Sequence, residues 1–127
     1  LQNTHEITKQ RLELWNRYHA ALAPLESDGK LRRPIVPSNC KHNAHLYYVL
    51  LGSPEERRGA IEKLAASGVH TVFHYVPLHS SPAGRRYCRV HGEMKFTDDL
   101  SSRLIRLPLW IGLDSPELVA DRVASCL

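Results

Sequence analysis

The sequence predicts a small α/β sandwich in which helices pack on a three- or four-stranded sheet. Three observations carry the prediction. The chain has 127 residues, the size of one domain, and a chain of that length buries roughly two-thirds of the surface it exposes when unfolded. Two short runs, 46–51 and 69–76, are rich in aromatic and β-branched residues and bounded by Gly or Pro, as strands are. Segments with helix-start signals lie around them, so the order reads helix, strand, helix, strand, helix, strand, helix.

The first helix opens at Asn3, with Glu6 at capping-box spacing, and places Ile7, Trp15, Tyr18 and Leu22 on one stripe before ending near Ala23-Pro24. Residues 26–45 contain Gly29, Pro34 and Pro37 and read as a long connection with at most a short strand at 31–36. Leu46-Tyr47-Tyr48-Val49-Leu50-Leu51, closed by Gly52, is too short for an independent helix and reads as a central strand. Ser53-Pro54-Glu55-Glu56 joins a capping hydroxyl, a first-turn proline and a glutamate at the third position, and predicts a helix that buries Ile61 and Leu64 and stops at Gly68.

The second strand, 69–76, runs into His74-Tyr75-Val76-Pro77-Leu78-His79 and then a polar loop, Ser80-Ser81-Pro82-Ala83-Gly84. A third helix is predicted from Thr97, with Asp98 and Asp99 set against the helix dipole and Leu100, Leu104 and Ile105 buried. Leu107-Pro108-Leu109-Trp110 reads as an edge strand, because proline has no amide proton for a central ladder. Ser115-Pro116-Glu117 opens a last helix with Val119, Val123 and Cys126 on one face.

Composition narrows the function classes. Net charge is +4 with pI near 9.2, compatible with small anions. The basic residues are scattered apart from short pairs, with no basic run interleaved with aromatics, so nucleic acid is not an expected partner. No apolar run approaches the roughly 18 residues of a membrane span, so no membrane partner is expected. Three cysteines form no framework and point to a reducing compartment, the cytoplasm. Leu1-Gln2-Asn3-Thr4-His5-Glu6 carries no basic-then-apolar signal, and a chain that begins without Met at the lip of a helix reads as a fragment.

Titratable groups concentrate where the second strand ends. His74 and Tyr75 alternate across that strand, so one faces the core and the other does not; the bland reading is a buried tyrosine beside a surface histidine. His79 lies beyond Pro77 on a loop, where a functional role is easier. Two alternatives use other residues. Cys40, His42 and His45 with Cys88 and His91 contain the donors of a Cys2His2 zinc set, although Cys-x2-His is not a common finger spacing. Cys88 near His91 contains a nucleophile and a base without an orienting carboxylate.

Three stretches in this order carry a resemblance: Asn43-Ala44-His45-Leu46-Tyr47-Tyr48, then Phe73-His74-Tyr75-Val76-Pro77-Leu78-His79-Ser80-Ser81-Pro82-Ala83-Gly84, then Arg103-Leu104-Ile105-Arg106-Leu107-Pro108-Leu109-Trp110. They resemble the C-terminal small domain of the DegT/DnrJ/EryC1/StrS sugar aminotransferases, and the likeness spans nearly the whole chain. Lys41-His42-Asn43-Ala44-His45 and the Pro-Leu-His-x-x-Pro-Ala-Gly run resemble the subgroup that serves enterobacterial common antigen synthesis.

The resemblance implies a fold-type-I enzyme that uses pyridoxal 5'-phosphate (PLP) to move an amino group from L-glutamate to the 4-keto carbon of a dTDP-linked 4-keto-6-deoxysugar, working as a homodimer. It places Tyr75, His79 and His74, with His45 and Arg85 behind them, on the nucleotide-sugar side. The family's Schiff-base lysine belongs to a large N-terminal domain, and none of Lys9, Lys30, Lys41, Lys63 or Lys95 has its sequence context. The expectation is therefore that this chain holds no catalytic lysine, no cofactor-binding residue and no metal, and is inactive alone. A ligand-binding or interaction module, with or without a stabilising zinc, is the alternative.

Overall fold

The structure, a computed structural model, describes residues 3–127. Leu1 and Gln2, part of the stretch read for a targeting signal, lie outside the described residues. The elements are α1 (Thr4–Ala21), α2 (Ala23–Ser27), β1 (Tyr47–Leu50), α3 (Pro54–Ala66), β2 (Val72–Phe73), α4 (Pro82–Tyr87), α5 (Lys95–Arg103), β3 (Leu104–Leu107) and α6 (Pro116–Cys126), with a 3-10 turn at Leu78–Ser80. The sheet has three strands in the order β1-β3-β2, antiparallel throughout.

Three helices open on the same device. Ser53, Ser81 and Ser115 each precede a proline in the first turn, and each hydroxyl accepts an amide three residues on, from Glu56 (3.1 Å), Gly84 (2.9 Å) and Leu118 (3.4 Å). Such caps satisfy an otherwise orphaned N–H. Local signals mark Ser53 and Ser115 as helix starts, whereas the stretch at Ser81 reads as a loop. α4 is six residues long with Gly84 as its buried residue, so it has no apolar stripe to betray it.

The core lies on one face of the sheet. Register puts Tyr47 opposite Leu107 and Val49 opposite Ile105, and these four are buried with Trp15, Tyr18 and Leu22 from the first helical segment, Ala60 and Leu64 of α3, and Val119, Ala120 and Val123 of α6. Burying a side chain such as Leu64 or Ile105 contributes about 1.5–3 kcal/mol, more than a solvated ion pair, so packing decides the fold. The other face carries Tyr48, Arg106 and Val72 in one row, less covered than the core residues.

Several expectations need correction. The third strand is 104–107, not 107–110, and it is the central strand rather than an edge. All four of its residues have amides for the ladder, and Pro108 stands just beyond them. Leu104 and Ile105 therefore belong to this strand and not to the preceding helix. That helix stops at Arg103, whose guanidinium bonds Asp99 one turn back and donates to the Leu51 carbonyl (2.9 Å). β1, read as central, has β3 on one side and a single bridge to Arg32 on the other, which is what exists of the proposed strand at 31–36. β2 keeps two residues of the eight proposed. In the first helix Ile7 is exposed while Trp15, Tyr18 and Leu22 are buried, and Pro24, expected to end it, lies in the first turn of α2.

Candidate functional site

After Phe73 the chain leaves the ladder and is pinned by a tight turn. The Ser80 hydroxyl donates to the Pro77 carbonyl (3.1 Å), and the Ser81 hydroxyl donates to the Leu78 carbonyl (2.8 Å) while capping α4. Gly84 is buried against this turn, where a Cβ would sit 1.6 Å from the Leu78 oxygen. Only glycine permits that approach. The turn aims His79 at α5, and its Nε2 lies 2.9 Å from Asp98 Oδ1 with the imidazole 19% exposed.

The exposure of His74 and Tyr75 is the reverse of the bland expectation. Tyr75 is 74% exposed. His74 is half-buried, with its ring edge-on to Tyr75 at 4.9 Å and its Nδ1 buried without a hydrogen-bond partner.

The five predicted residues do not share one cavity. Tyr75 borders a cleft of about 230 Å³ lined by Arg57, Phe73, Val76, Pro77, Ser101 and Ser102. His45 is exposed, within 3.2 Å of Asn43 Oδ1, and belongs to a second cleft of about 190 Å³ shared with His70, Val72, Arg106 and Pro108. Arg85 stands exposed on α4. In the sequence Arg57 stands out only as half of the basic pair Arg57-Arg58, and Ser101 and Ser102 not at all; the neighbourhood of Arg57 is made by chain segments 16 and 44 residues away.

A separate aromatic cluster joins α1 to β1. The Trp15 ring stacks on His19 (4.7 Å) and meets His42 (4.6 Å) and Tyr47 (5.2 Å) edge-on. Burial, with Arg33 nearby, holds the His19 imidazole below its ordinary pKa, and burial pushes the Tyr18 and Tyr47 phenols up. The Tyr18 hydroxyl donates to the Pro108 carbonyl (2.8 Å).

The zinc alternative does not assemble. His42 packs on Trp15, Cys40 and Cys88 are exposed, and the described residues contain no group of three or more His, Cys, Asp or Glu that could hold a metal ion. Cys88 and His91 are both exposed, with no hydrogen bond between them among the described residues. None of the lysines is placed as a Schiff-base amine. All five lysines are exposed; Lys63 donates to the Cys126 carbonyl (3.0 Å) and Lys95 pairs with Glu93 (2.8 Å). A Schiff-base lysine needs a desolvated, positioned amine.

The architecture is α/β, a three-stranded sheet with helices packed on its core face and a polar strand end leading into a glycine-locked turn, and its structural neighbours are aminotransferases. The fold matches S. venezuelae DesV, solved in complex with a ketimine intermediate, with TM-score 0.85 and 26% identity over 98% of this chain and 33% of that one. It also matches NtdA of Bacillus subtilis with bound cofactor PMP, with TM-score 0.78 and 24% identity over 94% of this chain and 28% of that one. The DegT/DnrJ/EryC1/StrS aminotransferase family model matches residues 1–127, and the chain belongs to that family. A curated relative, the dTDP-4-dehydro-2,3,6-trideoxy-D-glucose 4-aminotransferase of Saccharopolyspora spinosa, is 29% identical over 123 residues, which are 95% of this chain and 30% of the relative. The chain thus spans about 30% of the length of that relative. No helix among the described residues is long and apolar enough to cross a membrane.

Proposed function

We propose that this chain is the small, C-terminal substrate-side domain of a PLP-dependent nucleotide-sugar aminotransferase. The whole enzyme transfers an amino group from L-glutamate to the 4-keto carbon of a dTDP-linked 4-keto-6-deoxysugar, acts as a cytoplasmic homodimer, and belongs with the enzymes of enterobacterial common antigen synthesis. The observation that carries the reading is the family match over the full chain, and the dTDP-sugar 4-aminotransferase relative supports the substrate class. PLP supplies the electron sink for amino transfer, and its lysine is contributed by residues outside this chain, which is inactive alone.

In this reading Tyr75 and His79 face the nucleotide sugar, with His74, His45 and Arg85 behind them. An exposed phenol and an imidazole oriented by a carboxylate can both hydrogen-bond sugar hydroxyls or phosphate oxygens. The test uses the aminotransferase that contains this segment. Tyr75→Phe and His79→Ala should each raise the KM for sugar nucleotide several-fold and leave the absorbance of bound PLP unchanged. Unaltered kinetics in both would remove the site assignment, and a lysine-bound PLP band on this chain alone would overturn the division of labour.

A further inference from the structure

The described residues contain four buried side-chain polar atoms without a hydrogen-bond partner: Arg11 Nε, Arg57 Nε, Thr71 Oγ1 and His74 Nδ1. Thr71 and His74 flank the two-residue β2, and Arg57 lies over its Phe73 ring at 5.9 Å. An unpaired buried donor costs about 1–3 kcal/mol, so such groups concentrated along one edge call for an explanation.

Arg57 is the most telling of them. Its Nη1 donates to the Ser101 carbonyl (3.2 Å), and it makes no salt bridge with a carboxylate among the described residues. The acidic side chains of α5 are engaged elsewhere, Asp98 by His79 and Asp99 by Arg103. The contact with Phe73 uses the ring face and leaves the Nε–H without an acceptor. The Ser101 and Ser102 hydroxyls donate into their own helix, to the Asp98 and Asp99 carbonyls. They shape the wall of the cleft, and the donors free to meet a ligand are Arg57 and the exposed Tyr75 hydroxyl. The cleft of about 230 Å³ between them is roomy beside the roughly 30 Å³ share of one water.

We infer that Arg57 and Tyr75 form an oxyanion subsite, with Phe73, Ser101 and Ser102 as its walls, that takes a phosphate or carboxylate group. A guanidinium held by its backbone contact presents its remaining N–H groups as a planar fork, a geometry suited to either anion. Assigning the occupant to the diphosphate of a nucleotide sugar or to the carboxylate of the amino donor rests on the aminotransferase reading; binding of an oxyanion does not.

The experiment is a ¹⁵N-NMR titration of this chain that follows the Arg57 Nε–Hε resonance with sodium pyrophosphate, with sodium L-glutamate, and with sodium chloride at matched ionic strength. A saturable shift with pyrophosphate alone identifies the phosphate source, one with glutamate alone the carboxylate source, and one with both an unselective oxyanion subsite; chloride should leave the resonance in place. Arg57→Lys keeps the charge but loses the fork, and should weaken binding about tenfold when followed at the Tyr75 and Ser102 amides. Absence of a saturable response to both anions, or a response that chloride reproduces, overturns the inference. Undiminished affinity in Arg57→Lys does so as well. The wild-type titration decides even if that variant fails to fold, and no outcome depends on enzyme activity.

Discussion

Gly84→Ala sets two physical effects against each other with opposite signs. Gly84 lies inside α4, where intrinsic propensity favours alanine over glycine by about 1 kcal/mol. The added Cβ, however, would stand 1.6 Å from the Leu78 carbonyl oxygen and 2.6 Å from its carbon, both backbone atoms and both inside the 3.0 Å that real Cβ contacts respect. No side-chain rotamer relieves that overlap, so the 3-10 turn must move away from α4. Overpacking of this kind costs about 1–3 kcal/mol, and a backbone clash belongs at the upper end. The expected net effect is destabilisation of about 1–2 kcal/mol, or a fall in Tm of roughly 4–8 °C, since about 1 kcal/mol corresponds to roughly 4 °C for a domain of this size. Because the same turn aims His79 at Asp98 (2.9 Å), the imidazole resonances of His79 should shift in the variant while those of His19, in the aromatic cluster, stay put. Urea unfolding and ¹H–¹⁵N spectra of the two chains make the measurement. A variant as stable as the parent, with His79 unmoved, would refute the close approach of α4 to the turn.

Two further outcomes follow from the packing of α1. Arg17 and Glu117 join α1 to α6 through two hydrogen bonds, 2.8 and 2.6 Å, and the side-chain bonds from Arg17 hold the Glu117 carboxyl down at about 2. A folded-state pKa below the unfolded one contributes stability that is present above the ordinary glutamate range and is lost as pH falls from about 4.5 toward 2. Glu26 beside Arg33 and Asp99 beside Arg103 are lowered in the same direction. The urea midpoint should therefore drop over that interval, and Glu117→Gln should flatten part of the drop; an unchanged profile in Glu117→Gln would count against the pair. Tyr18→Phe leaves the Pro108 carbonyl without its 2.8 Å donor and should cost about 1 kcal/mol in chemical unfolding, whereas a neutral result would mean that solvent replaces the bond.

Local signals were legible where one residue type carries the physics within a few positions. The Ser-Pro starts at 53 and 115 and the existence of a strand within 46–51, though not its central place, are legible because a cap, a fixed φ or an apolar run acts over a single turn. The boundary at Arg103–Leu104 was not legible, since Leu100, Leu104 and Ile105 fit a helical stripe as well as Leu104-Ile105-Arg106-Leu107 fits an alternating strand. The ladder to β1 and β2 chose the strand. Likewise, alternation along a strand sends His74 and Tyr75 to opposite faces, but which one is shielded depends on what packs against each face.

The sequence by itself determined the α/β class, the starts of α1, α3 and α6 and, through the motifs at 43–48, 73–84 and 103–110, the family. These rest on near-neighbour chemistry and recognisable patterns. Tertiary structure alone decided that β3 is the central strand, that Tyr75 is exposed beside Arg57, and that His79 meets Asp98. Each of those pairs residues far apart in the chain, and their approach is set by how the helices and sheet bury the common core, a sum over many contacts that no local spacing records.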